Sequence, residues 1–248
     1  MGSFSASFRN MSSLLAVLVV SACVGAAAIS SRSESRSGAT VQPTQPTQAT
    51  QTTGRAALGS DRREQVLRGR LLTINHACAG CHGGGADPTA DGYLAGMRSP
   101  SDEFLIGPCA TKPGATPCFR TRPRNLTPDN ATGMGRFSER QIFNALRYGL
   151  RPGETPDVEI SSPVPGRGNF PANPKYLAPP MPWPEWRHMS DQQLSDIAAY
   201  LKLGVKPVRN RVLDSEGPPD FWASGYTPEK IGTYPLPAFP TVREREPE

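Results

Sequence analysis

Apolar residues recur at helical spacing in three stretches of this chain and almost nowhere else. Val66, Leu67, Leu71 and Ile74 predict a helix over about 60–76, with Ser60 and Asp61 as start signals. Ser138-Glu139-Arg140-Gln141 has the form of a capping box. It opens a second helix, 138–148, carrying Ile142, Phe143 and Leu146 on one face and stopped by Gly149 and Pro152. Ser190 and Asp191 open a third, 190–203, striped by Leu194, Ile197, Ala198 and Leu201 and ended by Gly204 and Pro207. The intervening stretches are dense in Gly and Pro, and no strand alternation stands out. The pattern predicts an all-α domain over 60–204 with long loops. Gly69, in mid-helix, costs about 1 kcal/mol relative to Ala, which predicts close approach of a second helix there.

The flanks are of a different kind. Arg9 followed by the apolar run from Met11 to Val20 has the form of an export signal, too short to span a bilayer comfortably. Val20-Ser21-Ala22-Cys23 resembles a lipobox, which would make 1–22 a signal peptide and leave Cys23 acylated. The competing reading is an ordinary signal peptide, cut after Ala22 or near Ala26–Ala28. Residues 23–59 are Ser, Thr, Gln, Pro and Ala with no apolar periodicity, the composition of a disordered tether. Such a tether has an r.m.s. reach of about 30–35 Å. Residues 205–248 form a Pro-rich extension that could dock a partner. The localisation expected is the periplasmic face of a bacterial membrane, lipid-anchored or otherwise soluble.

Chemistry concentrates in Cys78-Ala79-Gly80-Cys81-His82. Two cysteines two residues apart, followed at once by histidine, form the attachment pattern of a c-type haem. On one helical turn both thiols face the same porphyrin edge and can add to its two vinyl groups. The following imidazole then lies beneath the iron as a proximal ligand. A zinc ribbon would need a second ligand pair, and a redox dithiol would need a βαβ setting. The cofactor expected is one covalent haem c with its iron.

Cys109 and Cys118 are expected to pair in an oxidising compartment, with two free thiols as the alternative. In the 248-residue chain, with a net charge of +5, arginines cluster at 120, 122, 124, 136, 140, 147 and 151. They could steer an acidic redox partner, pair with haem propionates, or be an ordinary solvated surface. Few aromatics and no recognition motif argue against nucleic acid.

The sixth iron position decides the chemistry. Met97, Met134, Met181 and Met189 are candidates, with His76 and His188 the remaining histidines. Met181 lies in Pro179-Pro180-Met181-Pro182, where proline on both sides lowers the entropy lost on ordering. It is the expected distal ligand and His188 the rival, since His76 is too close to Cys78 to cross the haem. His/Met ligation fills the iron and raises its potential, which favours electron transfer. An open site would instead suit a haem enzyme or gas sensor with a labile distal ligand. Trp183 and Trp186 are expected to wall the haem pocket.

Gly69-Arg70-Leu71-Leu72 through His82 resembles the opening of class I cytochromes c. Asn125-Leu126-Thr127-Pro128-Asp129, Thr132 through Ser138, and Met181-Pro182-Trp183-Pro184 with Ser190-Asp191 and Ala199-Tyr200-Leu201 resemble the cytochrome c subunits of bacterial membrane-bound alcohol and gluconate dehydrogenases. The resemblance implies a class I cytochrome c fold. It implies His82 and Met181 as iron ligands, Cys78 and Cys81 as thioether links, and Gly69 and Tyr200 at the contact of the first and last helices. It also implies an electron carrier, not an enzyme, that moves single electrons from a dehydrogenase to a cytochrome or oxidase. A permanently bound subunit is the alternative. Those subunits usually carry three haems, whereas this chain has one CxxCH. Pro108 or Pro117 could offer a carbonyl to the His82 ring N–H, and Asn125 or a nearby arginine could bind a propionate.

Overall fold

The computed structural model describes residues 59–97, 99 and 103–247. The expected signal peptide, Cys23 and the tether up to residue 58 lie outside the described residues. No helix among the described residues is long and apolar enough to cross a membrane.

Helix α1 (Ser60–Asn75) starts from Gly59 without a side-chain cap, so Ser60 is its first residue and not its cap. Its buried face also differs from the apolar count. Leu67 and Leu71 remain 48% and 59% exposed, while Gly69 and Thr73 are buried. A Cβ on Gly69 would overlap the Asp196 carbonyl and lie 2.8 Å from Tyr200 Cβ. Close approach to the last helix therefore sets which face turns inward. Asp196, buried beside this contact, accepts from Arg68 Nε at 2.8 Å and Gln192 Nε2 at 2.6 Å. The carboxylate leaves water only because it is paired and hydrogen-bonded.

After α1 come the short α2 (Cys78–His82), then α3 (Glu139–Tyr148), α4 (Trp183–Trp186) and α5 (Asp191–Ala199), the last continued by a π-helical turn, Tyr200–Gly204. Ser138 and Ser190 each close a capping box, with Gln141 and Gln193 respectively. α3 and α5 bury Ile142, Phe143, Leu146, Leu194, Ile197 and Leu201 in one core.

The all-α expectation is corrected by a two-stranded antiparallel sheet. β1 (Phe104–Ile106) pairs with β2 (Phe119–Thr121), Leu105 opposite Arg120. Cys109 and Cys118 are disulfide-bonded across the loop between the strands, with Cα atoms 5.4 Å apart. Strands of three residues are too short to show alternation, which is why the sequence pattern misses them.

The C-terminal extension is not a free arm over most of its described length. Glu216 exchanges both backbone hydrogen bonds with Arg120, at 2.8 and 2.9 Å. Arg122, 6% exposed, lies beneath this bridge and donates to Glu103 and to the Asp214 carbonyl. Trp222 packs on Phe119 with ring centroids 4.8 Å apart. Further on, Tyr226 and Tyr234 reach α4 and its surroundings. The long loops and the extension are thus held by isolated backbone bridges, side chain-to-backbone bonds and ring contacts instead of by periodic packing.

Candidate functional site

The chain breaks out of α1 at His76, whose ring Nδ1 bonds the Leu72 carbonyl at 2.8 Å, and at Ala77, a left-handed residue at φ 51°. This reversal starts α2, one helical turn that carries Cys78, Cys81 and His82. Both cysteines are free thiols. Burial pushes the Cys78 thiol up to about 11. Such a thiol lacks the low pKa of an activated thiolate. Among the described residues no group of three or more His, Cys, Asp or Glu could hold a metal ion, so the zinc reading lacks its further ligands.

His82 Nδ1 lies 2.7 Å from the Arg124 carbonyl oxygen. A carbonyl only accepts, so Nδ1 carries the hydrogen and Nε2 keeps its lone pair for a metal. Burial holds the imidazole below its ordinary range, opposed by the Arg124 carbonyl. The neutral form is the ligating one. The partner is Arg124, and neither Pro108 nor Pro117 supplies it. Two glycines that the motif reading passed over shape the exit from α2. Gly83 and Gly84 have φ of 94° and 87°, and a Cβ on Gly84 would lie 2.5 Å from Tyr93 Cα. Their turn lets Gly96 N donate to the His82 carbonyl at 2.7 Å. The run of glycines after His82 was the available signal.

The Arg124 side chain links the site to the extension, donating to the carbonyls of Val212 and Leu213 at 3.3 and 3.1 Å. It also lines a cleft of 1140 Å³ together with Arg136, Arg151, Arg209 and Arg211. Met134, Phe137, Leu177 and Val212 supply apolar wall. Asn125, expected at a propionate, is spent elsewhere. Its amide donates to Thr132 and the Val208 carbonyl, and its oxygen accepts from the backbone and hydroxyl of Thr127. The arginine cluster read from the sequence also divides. Arg147, 4% exposed, donates to the Arg187 and Met189 carbonyls and to Asp191, while Arg151 pairs with Asp220. Arg147 is absent from the cleft, where Arg209 and Arg211 of the extension join Arg124, Arg136 and Arg151.

Met181 is half-buried and packs against the same core that Cys78 packs against. Met134 belongs to that core and also lines the cleft. Met189 packs beside it. His188 faces Tyr234 at 5.9 Å, and its Nε2 accepts from Arg187 Nε at 3.3 Å. His76 is turned to Trp186, 5.8 Å away. Trp183, 3% exposed, is packed between Gly149, Tyr176 and Tyr226. It serves the packing of α3 and the extension, and is not among the residues lining the cleft. Trp186 packs against the core.

The donor set therefore fits haem c. It comprises two free thiols on one helical turn, an imidazole with Nε2 unprotonated and a thioether packed on the same core. The arginine-rimmed cleft joins this set through Arg124, whose carbonyl holds His82, and Cys78, Cys81, His82 and Met181 are not among its lining residues.

A family model described as Cytochrome c matches residues 66–203. The chain is 28% identical over 149 residues to the fructose dehydrogenase cytochrome subunit of Gluconobacter japonicus, an overlap of 60% of this chain and 23% of that protein. It is 29% identical over 167 residues to the gluconate 2-dehydrogenase cytochrome c subunit of Pantoea cypripedii, covering 66% of this chain and 29% of that one. Over 85 residues it is 31% identical to the cytochrome c subunit of the quinone alcohol dehydrogenase of Gluconacetobacter polyoxogenes, with 34% and 14% covered. The chain thus spans less than a third of the length of each of these relatives.

Proposed function

The chain belongs to the cytochrome c family, and from that premise we propose that it carries single electrons between a dehydrogenase and a downstream cytochrome or oxidase at the periplasmic face of a bacterial membrane. The observation that carries this reading is the His82–Arg124 hydrogen bond beside the paired thiols, which leaves Nε2 as the unprotonated ring nitrogen. Covalently bound haem c supplies a one-electron iron couple. Cys78 and Cys81 tether it through thioethers, and His82 is the proximal ligand.

Met181 is the distal ligand in this reading. It packs on the core shared with Cys78, and the segment that carries it has little freedom to lose. With His82 and Met181 both holding a bound iron, the residues would favour electron transfer over binding of small ligands. Arginines at the cleft would neutralise the carboxylates of the bound group. Cys23, lipidated, would keep the domain at the membrane by its tether. The names of the relatives support a dehydrogenase as the electron donor.

The deciding test is the optical spectrum of protein matured in a haem-attaching periplasm, wild type against Met181→Ala. Wild type should show c-type reduced bands and a weak near-infrared sulfur-to-iron band, and the variant should lose only the latter. Absence of that band from wild type, together with rapid carbon monoxide binding by the reduced protein, would sink the electron-carrier reading. Cys23→Ser should move the protein from the membrane to the soluble periplasmic fraction.

A permanently bound dehydrogenase subunit is the second reading, favoured because the relatives are named as subunits. Co-purification of a dehydrogenase at stoichiometric yield would select it over the mobile carrier.

A further inference from the structure

The extension that follows the last helix touches both sides of the site. Its first part carries Val212 and Leu213, whose carbonyls hold the Arg124 side chain, and Arg124 in turn holds His82. Its later part lies on the segment that carries Met181. That segment is poor in backbone ties. Pro179, Pro180 and Pro182 have no N–H to donate. The bonds that remain include Met181 N to the Ala178 carbonyl, at 3.2 Å, and Leu177 N to the Gly149 carbonyl, at 2.6 Å. Its placement must then come largely from side chains that grip its flanks.

Tyr226 grips both flanks. Upstream, its hydroxyl donates to the Leu177 carbonyl at 3.2 Å. Downstream, its ring meets Trp183 edge to face, with centroids 4.9 Å apart and planes at 72°. It also meets Tyr176 at 5.5 Å. Tyr226 is set by its own turn, donating to the Ala223 carbonyl at 3.0 Å, next to Trp222 on the disulfide hairpin. Beyond it, the Ile231 and Gly232 carbonyls accept from Arg187 Nη2, at 3.2 and 2.6 Å. Four residues before Met181 and two after it, the chain is thus held by the same aromatic ring and hydroxyl.

We propose that the C-terminal extension is a strap for the distal ligand, with Tyr226 as the positioning residue that keeps the Met181 thioether in place. The proposal rests on Met181 being that ligand. An iron–thioether bond is weak, so a small loss of positioning shows as a large change in the fraction of molecules with the thioether displaced. A strap of this kind makes residues 205–234 part of the electron-transfer domain and leaves 235–247 as the part free for other contacts.

The test uses the full chain loaded with haem, as wild type, Met181→Ala, Tyr226→Ala and Tyr226→Phe. The readouts are the near-infrared sulfur-to-iron band of the oxidised protein and the carbon monoxide association rate of the reduced protein. Met181→Ala should abolish the band. Tyr226→Ala should keep the c-type visible bands, lose most of the near-infrared band and bind carbon monoxide about tenfold faster. Tyr226→Phe keeps the ring on Trp183 and should stay within about threefold of wild type.

If Met181→Ala abolishes the band while Tyr226→Ala keeps it at full strength with a wild-type rate, the strap proposal is overturned and the ligand assignment stands. If Met181→Ala keeps the band, both fall together. Should Tyr226→Ala not fold, Tyr226→Leu takes its place. A variant that melts earlier yet shows the full band below its melting point would reduce Tyr226 to ordinary packing and overturn the proposal.

Discussion

The two sides of the candidate site are built in opposite ways. The His82 side comes from five contiguous residues on one turn of helix, tied to distant parts of the chain through the Arg124 carbonyl and Gly96 N. The Met181 side is assembled from Gly149, Tyr176, Leu177, Trp183, Arg187, Tyr226 and the 231–232 backbone. Local geometry fixes the first almost independently of the rest of the fold. The second exists only once distant segments have docked. Under the proposed assignment, covalent attachment would sit on the local side, where it survives fluctuation, and the weaker Met181 bond would fall to the side that tertiary structure must hold.

The largest expected effect falls on the local side. His82→Ala should abolish the six-coordinate spectrum altogether while leaving haem covalently attached through Cys78 and Cys81. Distal variants should leave a c-type protein with altered ligation. Pyridine haemochrome analysis and the visible spectrum separate these. An unaltered six-coordinate spectrum in His82→Ala would break the asymmetry at its root.

Met134→Ala comes next. Met134 is buried in the core, so truncation should cost about 2–5 kcal/mol by chemical denaturation. With Met181 as the ligand, the near-infrared band should persist below the transition. Loss of the band in Met134→Ala alone would transfer the distal role to the methionine that lines the cleft.

The hairpin tests how far assembly of the distal side depends on remote anchors. Removing the disulfide with Cys109→Ser and Cys118→Ser should cost about 2–3 kcal/mol, mainly by freeing the unfolded chain. The hairpin carries the Arg120–Glu216 bridge and Phe119 under Trp222, both leading into the strap. Hydrogen exchange should therefore rise first at residues 214–232 and leave α2 protected. Equal loss of protection in α2 would mean that the two sides are not independent.

What could be read from the sequence follows the same division. The CxxCH turn was legible because its chemistry is contiguous, and the capping box at Ser138 and the helix start at Ser190 because their bonds span three residues. The inward face of α1 was not. Its contact with α5 is made by the absence of a side chain at Gly69 and by Thr73, not by the leucines that the apolar count selects. The sheet escaped because three-residue strands carry no period. Arg124 escaped as the partner of His82 because every residue has a carbonyl, and only the fold chooses one. The extension looked unstructured because its anchors are not periodic. They are Asn125 and Arg124 reaching its backbone, Asn210 Nδ2 donating to the Ala95 carbonyl at 2.7 Å, and Arg187 reaching Gly232.

The smallest effect offers a control on this contrast. Ser138→Ala and Ser190→Ala each delete one hydroxyl that accepts from a backbone N–H, at 3.0 and 3.1 Å, and each should cost about 1 kcal/mol. The two caps share the capping box but are placed differently, and the Ser138 hydroxyl also donates to Asp157. Ser190 follows Met189 directly, at the end of the segment that carries Met181, whereas Ser138 opens α3 and is farther along the chain from that segment. If distal placement is set by side-chain grips such as Tyr226, fraying the first turn of α5 should lower the melting temperature as much as fraying α3, with no change in ligation. Matched melting shifts with an unchanged near-infrared band are the expected result. A band weakened by Ser190→Ala but not by Ser138→Ala would place the anchor of the distal segment in the α5 cap instead of in the strap.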